Sequence, residues 1–227
     1  MENRQYQCCV LTYAVPHRKT YDALCLLKAR GYRDVLVWAV PLSYRKNFVP
    51  IFEHRPPVLF EVEPKDLCLN LGYEYVLSES GYQGLDAIVS CPVLVCGAGL
   101  IPLEFTRKLR LINAHPGYIP LVRGLDAFKW AIHENLPLGV TTHFIGDEID
   151  AGDVIDRQDV PVFANDTFHS VADRAYALEI KMLVEALSLK KAHHVSGSPY
   201  PVRRRMPREI EYGLMEDFER YKRCHAQ

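Results

Sequence analysis

The sequence predicts an α/β fold with a mainly parallel central sheet and a short C-terminal extension. Apolar strand-like runs alternate with helical patterns along the chain, as crossover connections between parallel strands require. The first 40 residues show this order most clearly. They contain an apolar run over Cys8 to Thr12, leucines at helical spacing over residues 21–30, and the apolar run Val35 to Val40. A long amphipathic pattern over Thr167 to Leu189 predicts a helix that covers the core.

The other elements follow from apolar runs and turn residues. Residues 86–91 and 93–98 are strand-like and divided by Pro92, so they form either one strand and a second short strand or a strand that leads into a loop. The run ending at residues 111–115 is typical of a buried strand. A helix is predicted over residues 125–135, and Asp166 is the expected N-cap of the long helix. A loop-rich, basic segment begins near Val195, so we expect a main domain over residues 1–194 and an extension over 195–227.

Composition narrows the functional class. The chain has 227 residues, of which 48% are hydrophobic and 24% charged, which is enough to bury a full core. A net charge of -1 argues against a nucleic-acid partner. No apolar stretch is long enough for a membrane span, and the first residues lack the apolar core of a secretory signal, so we expect a cytoplasmic protein with no membrane partner.

The cysteines do not indicate a disulfide framework, and the cysteines and histidines do not indicate a metal site. The seven cysteines are odd in number and mostly lie in or beside hydrophobic runs, which predicts reduced thiols. The closest approach to a metal cluster is the adjacent pair His193 and His194, whose side chains need not converge on one ion. We therefore predict no metal site.

The strongest chemical signal is the string LINAHPG, followed downstream by GVTTHF and IDAGD. Asn113 and His115 are two residues apart at a strand end and therefore lie on one face, and Asp150 follows on a glycine-flanked loop. An amide, an imidazole and a carboxylate at strand ends suit acyl chemistry. Taken alone, Asn113 and His115 could be structural, but the downstream motifs favour a site. His143 either assists the site or packs within its strand, and both interpretations stay open.

The ordered motifs NAHPG, VRG, GVTTHF and IDAGD resemble the catalytic core of 10-formyltetrahydrofolate-dependent formyltransferases over roughly residues 85–189. The resemblance implies a Rossmann-like formyltransferase fold with Asn113, His115 and Asp150 as catalytic residues. Asn113 and a protonated His115 would face the oxyanion. Asp150 would hold or charge the imidazole and pass a proton, through water, from the attacking amine toward the departing folate nitrogen.

The resemblance also implies a slot for 10-formyltetrahydrofolate, the expected co-substrate. The segment VCGAGLI resembles the family segment that lines this slot, and glycines there would let the pteridine approach the main chain. The loop before Asp150 would close the other side. The expected folate-binding residues are Cys96, Gly97, Ala98, Gly99, Leu100, Ile101, Gly146, Asp147, Glu148 and Ile149.

The acceptor is predicted by comparing branches of the family. Glycinamide ribonucleotide formyltransferases carry an early glycine and asparagine loop, whereas TYAVPHRKTYD follows the first strand here. Methionyl-tRNA formyltransferases carry a sizeable basic C-terminal domain, whereas about 38 residues follow Leu189. The frame HPGYIPLVRGLDAFKWAI is similar to the sugar N-formyltransferases. The expected acceptor is therefore a nucleotide-linked amino sugar, such as a dTDP-amino-dideoxy sugar, for a surface polysaccharide such as the O-antigen of lipopolysaccharide.

Cationic and aromatic side chains are the candidates for holding a diphosphate and a base. The expected acceptor-binding residues are Tyr13, His17, Arg18, Lys19, Arg45, His54, Arg55 and Arg123. The run Arg203 to Arg205 either reaches the diphosphate or is solvated, and a weak helical pattern over residues 209–221 could form a homodimer contact. The alternatives are a phosphoribosylglycinamide-type formyltransferase, a formyltetrahydrofolate hydrolase and a non-catalytic binding module.

Overall fold

The computed structural model describes residues 5–42, 49–58, 61–150, 152–189, 191–195 and 200–227. The strands are β1 (Cys8–Tyr13), β2 (Val35–Val40), β3 (Glu74–Leu77), β4 (Val93–Val95), β5 (Leu111–His115), β6 (Arg123–Gly124), β7 (Gly139–Phe144), β8 (Asp153–Asp159), β9 (His193–His194) and β10 (Val202–Arg203). The helices are α1 (Arg18–Ala29), α2 (Pro64–Leu71), α3 (Leu85–Ile88), α4 (Leu103–Lys108), α5 (Ala127–His133), α6 (Phe168–Glu185), α7 (Arg208–Glu211) and α8 (Leu214–His225).

The described residues form one main sheet of eight strands in the order β3-β2-β1-β4-β5-β7-β8-β9. The strands from β3 to β5 in this order pair in parallel, and β7, β8 and β9 continue the sheet in antiparallel pairs. The prediction of an α/β fold with a mainly parallel sheet is confirmed. The strand order reverses between β1 and β4, and the crevice at such a reversal is where open α/β sheets bind ligands.

The sheet is buried on both faces. Cys8 and Val10 of β1 belong to the larger apolar cluster, with α1, α5 and α6, whereas Cys9 and Leu11 face a second cluster that contains Phe105. This alternation explains why the strand sequence is continuously apolar, since neither face meets water.

Two apolar runs depart from the predicted strands. Residues 86–91 do not form a strand: α3 begins after Gly84, and Val89 donates its amide to the Leu85 carbonyl at 2.9 Å. A short apolar run fits a buried helical turn as well as a strand, so periodicity could not decide. Strand β4 ends at Val95 rather than residue 98, because the amides of Cys96 and Gly97 both donate to the Leu11 carbonyl.

The long helix α6 begins one residue later than predicted. Its N-cap is Thr167, whose hydroxyl accepts from the Ser170 amide while the Ser170 hydroxyl accepts from the Thr167 amide. Asp166 instead accepts from the Phe163 amide and pairs with Arg174, and this hydrogen bond to the guanidinium lowers the pKa of the carboxyl. Asp166 and Thr167 are both of residue types that favour the N-cap position. Because Asp166 bonds to Arg174 and to the Phe163 amide, Thr167 caps the helix.

The C-terminal residues 200–227 pack onto the same core as the sheet. Leu214, Phe218 and Tyr221 of the predicted amphipathic segment are buried, and α8 contacts α5. The apolar face that suggested a dimer contact is therefore covered within the chain. The domain division at residue 195 stays a prediction. In the part of the chain that the structure describes, none of the helices is long and apolar enough to cross a membrane.

Candidate active site

A cavity of about 710 Å³ opens at the carboxyl ends of β1, β4 and β5. The parallel register brings these strand ends to one edge of the sheet, so residues distant in sequence line one space. Asn113 and His115 at the end of β5 line the cavity, and Asp150 joins them from the loop between β7 and β8. All three residues predicted to be catalytic therefore meet in one place.

Both ring nitrogens of His115 face acceptors of the protein. Nε2 lies 3.1 Å from the Val122 carbonyl oxygen, and Nδ1 lies 3.5 Å from Oδ2 of Asp150. A Cβ on Gly117 would lie 2.6 Å from Nε2 of His115, so glycine at this turn lets the ring pack against its own chain. In this arrangement both ring nitrogens of His115 lie beside protein acceptors, whereas the predicted role of oxyanion donor needs an N–H directed at the ligand.

Asp150 is held in a backbone conformation that is uncommon for a residue with a side chain, at φ 44°. Its Oδ2 accepts a hydrogen bond from the amide of Gly124 at 3.0 Å, and its Oδ1 lies 3.8 Å from Nε2 of His143. The carboxylate is therefore surrounded by two imidazoles and one backbone donor.

His143 is buried beside the group and contacts two of its members. Its Nδ1 lies 3.1 Å from the Phe144 carbonyl oxygen, which requires the hydrogen on that nitrogen. Its Nε2 lies 3.5 Å from Nδ2 of Asn113. Burial lowers the pKa of His143 to about 4, so the ring is neutral at pH 7. The cross-strand register that pairs residues 113 and 143 brings this histidine to the site.

All ten residues expected to bind folate line the cavity. Gly99 has open space where a Cβ would project, whereas a Cβ on Gly97 would lie 2.6 Å from the Tyr13 ring. Leu100 and Ile149, on opposite segments, are 74% and 55% exposed. Exposed apolar side chains at a cavity mouth suit a flat apolar ligand.

Five of the eight residues expected to bind the acceptor line the cavity: Tyr13, His17, Lys19, His54 and Arg55. Arg18 is not among the lining residues, because its guanidinium pairs with Asp22 on the surface of α1. Arg123 is not among them either, since it is buried in β6 and lies 3.5 Å from Glu148. Arg45 lies outside the described residues.

Burial and paired charges set the ionisation of this part of the cavity. Glu179 of α6 is buried and pairs with Lys19 and Arg55. Burial alone raises the pKa of Glu179, but the two cations lower it to about 2. Burial also lowers the pKa of His17 to about 4 and of His54 to about 3, so both rings are neutral near pH 7.

Three charged lining residues are absent from the predicted sets of site residues: Asp126, Glu179 and Arg205, the last of which belongs to the arginine run that was expected either to reach the diphosphate or to be solvated. Glu179 lies in an amphipathic helix where a polar residue normally faces water, so only tertiary packing reveals it. Arg205 pairs with Asp126 at 3.2 Å and lines the cavity, whereas Arg203 pairs with Glu134 and lies over the Trp130 ring. The arginine run thus divides between the site and the scaffold.

Metal-binding side chains are not gathered anywhere in the described ranges: no group of three His, Cys, Asp or Glu could hold an ion there. His193 and His194 form the exposed strand β9, and His194 pairs with Asp153.

Residues 83–187 match the model of the formyl transferase family. This segment is a formyl transferase domain. It contains Asn113, His115, His143, Asp150 and Glu179, so the domain includes the group described above.

Two curated relatives that match this chain have names from different areas of metabolism, purine biosynthesis and amino-sugar formylation. The trifunctional purine biosynthetic protein adenosine-3 of Bos taurus is 31% identical over 102 residues, which are 42% of this chain and 10% of that protein. The dTDP-4-amino-4,6-dideoxyglucose formyltransferase of Mycobacterium bovis is 28% identical over 123 residues, which are 54% of this chain and 50% of that protein. This chain therefore matches half or less of the length of either relative.

A solved structure shares the fold over most of the chain. WlaRD, a sugar 3N-formyl transferase, superposes with a TM-score of 0.58 at 17% identity, covering 85% of this chain and 68% of that one. Its structure was determined in the presence of dTDP and 5-N-formyl-THF. The formyl transferase domain and the elements around it thus form a formyltransferase fold, as the sequence predicts.

Proposed function

We propose that this chain transfers the formyl group of 10-formyltetrahydrofolate to the primary amine of a nucleotide-linked amino sugar. The observation that carries the proposal is the convergence of Asn113, His115 and Asp150 at one cavity, within the residues that match the formyl transferase family. The reaction needs a donor for an oxyanion and a group that moves a proton. The three side chains provide both.

The oxyanion forms when the amine nitrogen attacks the formyl carbon. A carbon–nitrogen bond forms to the acceptor, the bond from the formyl carbon to folate N10 breaks, and the formyl oxygen carries negative charge in between. Asn113 Nδ2 has two hydrogens, so one can face His143 while the other faces this oxygen. Because both nitrogens of His115 face protein acceptors, Asn113 is the oxyanion donor in this proposal.

The proton moves through His115 and Asp150. With the Nε2 hydrogen donated to the Val122 carbonyl, Nδ1 and the Asp150 carboxylate face each other as two acceptors. One proton between them satisfies both atoms, since each otherwise has a lone pair directed at the other. The attacking amine loses a proton and folate N10 gains one, so a pair that can accept and return a proton completes the reaction.

The donor site fits folate by shape and polarity. The segment from Cys96 to Ile101 offers backbone groups and an open glycine face, and Leu100 and Ile149 offer apolar contact on two sides. A flat pteridine needs both. The solved WlaRD complex supports a folate ligand for this fold.

Three observations support a nucleotide-linked amino sugar as the acceptor. The Mycobacterium bovis relative is named for a dTDP-amino sugar, and WlaRD was solved with dTDP. In this chain the first strand leads into TYAVPHRKTYD instead of a glycine-rich phosphate loop. Tyr13, His17 and Arg205 line the cavity and offer a ring surface, a neutral imidazole and a cation to a nucleotide diphosphate. Synthesis of a surface polysaccharide in the cytoplasm is the setting we propose.

A mass-spectrometric panel tests the proposal. Purified protein is incubated with 10-formyltetrahydrofolate and nucleotide-linked amino sugars, with glycinamide ribonucleotide as the rival acceptor and a His115→Ala variant as control. A formyl mass gain on a sugar nucleotide, absent in the variant, is the expected result. Gain on glycinamide ribonucleotide alone would replace the acceptor, and formate release without a formylated product would indicate a hydrolase.

A further inference from the structure

The C-terminal residues 200–206, termed here the strap, contact the candidate site although they lie outside the segment that matches the family. Val202 and Arg203 of the strap form β10, which pairs in parallel with Arg123 and Gly124 of β6. The amide of Leu125 donates to the Arg203 carbonyl at 3.0 Å. The strap therefore extends the backbone of the turn that follows the NAHPG motif.

Gly124 lies between the strap and the carboxylate of Asp150. Its amide donates to Oδ2 of Asp150 at 3.0 Å. Its φ is 93°, and a Cβ at this position would lie 2.1 Å from the Arg203 carbonyl oxygen. The same glycine thus meets the strap on one side and holds Asp150 on the other.

The strap is fixed beyond this pairing by bonds to residues that follow Gly124. Trp130 Nε1 donates to the Arg204 carbonyl at 2.8 Å, and the Met206 amide donates to Oδ2 of Asp126 at 2.9 Å. The Met206 side chain is fully buried. These anchors hold the C-terminal half of the strap beside the residues that follow β6.

Asp150 needs such support, because its backbone has a positive φ and its side chain is one of the two proton-carrying groups of the proposed mechanism. A shift of about 1 Å in a reacting group reduces turnover strongly. We propose that the strap positions Asp150 through Gly124 and is part of the reaction machinery of this chain. The inference rests on the proposed function for its kinetic test.

The chain offers a matched pair of substitutions that leave the cavity untouched. Trp130→Phe removes the indole donor that holds the Arg204 carbonyl. Trp38→Phe removes an equivalent bond, from Nε1 to the Gly81 carbonyl at 2.9 Å, far from the strap. We expect Trp130→Phe to lower kcat about tenfold with KM for both substrates within about twofold. Trp38→Phe keeps kcat within about twofold.

Gly124→Ala gives a second, stronger perturbation, with Gly31→Ala as its control. Both glycines have positive φ, but a Cβ on Gly31 meets nothing within 4 Å, so only Gly124→Ala displaces the strap. We expect kcat to fall at least 30-fold in Gly124→Ala beyond any change in Gly31→Ala, since the donor to Asp150 moves, an effect on the order of one lost hydrogen bond to a charged group.

Amide hydrogen exchange of Gly124 tests the strap without any assay of activity. We expect exchange to be at least tenfold faster in Trp130→Phe than in Trp38→Phe. Equal exchange in the two variants, or equal kcat in an active enzyme, would overturn the inference. A wild-type protein that neither transfers nor releases the formyl group would refute the proposed function instead, and the exchange comparison would still decide the role of the strap.

Discussion

The imidazole Nε2 of His143 lies 3.5 Å from the amide Nδ2 of Asn113. Because Nδ1 of His143 donates to the Phe144 carbonyl and the buried ring is neutral, Nε2 presents a lone pair to the amide. The amide nitrogen of Asn113, and not its oxygen, therefore faces His143. This contact fixes which end of the amide can donate to a ligand in the cavity.

Replacing the Asn113 amide removes the proposed oxyanion donor. We expect Asn113→Ala and Asn113→Asp each to lower kcat by roughly 100-fold or more, since one such donor is worth about 3 kcal/mol in the barrier. Steady-state kinetics with the best acceptor gives kcat and KM separately. A kcat within tenfold of the wild type in both variants would mean that another group stabilises the oxyanion.

Removing the Nε2 lone pair of His143 leaves the side-chain amide of Asn113 without the contact that orients it. We expect His143→Phe to lower kcat about tenfold, in line with the loss of one buried hydrogen bond of about 1 to 1.5 kcal/mol. His143→Gln, which can still accept through its side-chain oxygen, retains more activity than His143→Phe. Equal kinetics for the two variants would show that the ring acts only by packing.

The apolar mouth of the cavity is expected to contribute folate affinity. Leu100→Ser raises KM for 10-formyltetrahydrofolate roughly fivefold with kcat little changed, because about 1 kcal/mol of apolar contact is lost. Leu69→Ser is the control, since Leu69 is 66% exposed on α2 and does not line the cavity. An equal KM for 10-formyltetrahydrofolate in the two variants would show that folate does not contact Leu100.

Three neutral histidines, one buried and two half-buried, make stability depend on pH. Burial lowers the pKa of His17, His54 and His143 to about 4, 3 and 4, whereas an unfolded chain has histidine pKa values near 6.5. Between these values the unfolded chain binds protons that the folded chain does not. The free energy of unfolding therefore falls as the pH drops from 7 to 5, by up to about 1.4 kcal/mol per pH unit for each histidine.

Urea unfolding at pH 7, 6 and 5 measures this slope. His54→Phe, which keeps a ring against Phe128, is expected to reduce the slope, while His194→Gln, at an exposed residue, leaves it unchanged. A wild-type stability that is flat over this range would contradict the burial of neutral rings.

A buried ion pair joins the C-terminal residues to α5. Lys129 Nζ donates to Oε1 of Glu211, and both side chains are fully buried. Lys129→Met leaves the carboxylate without its cation, so we expect the free energy of unfolding to fall by about 3 to 5 kcal/mol. Adding Glu211→Gln recovers part of the loss. Lys108→Met, at an exposed pair with Asp86, is expected to leave the free energy of unfolding nearly unchanged, because solvent screens this pair.

The local sequence was sufficient for most of the framework. The apolar strands β1 and β2 and the spacing of residues 113 and 115 could be predicted because period-2 geometry fixes which side chains share a face. The family resemblance added the expected roles of Asn113, His115 and Asp150 and the folate segment. The helix at 85–88 could not be separated from a strand, because a run of four residues with three apolar side chains fits either element.

Long-range contacts account for what the sequence did not reveal. Glu179 lies on a helix whose pattern predicts only an amphipathic element, and its role depends on Lys19 and Arg55 arriving from other elements. Arg205 reaches the cavity through the pairing of β10 with β6, which no turn or propensity signal indicates. His115 was expected to face the oxyanion, and the sequence did not indicate that the Val122 carbonyl oxygen, seven residues later, lies 3.1 Å from its Nε2.

The most direct test of formyl transfer follows a carbon-13 label from the formyl group of 10-formyltetrahydrofolate by NMR, with the acceptor that gains mass in the panel. We predict that the label appears on the acceptor nitrogen in a one-to-one ratio with tetrahydrofolate, and that Asp150→Asn slows its appearance at least 100-fold. Label released as free formate, or transfer at an equal rate in Asp150→Asn, would contradict the account.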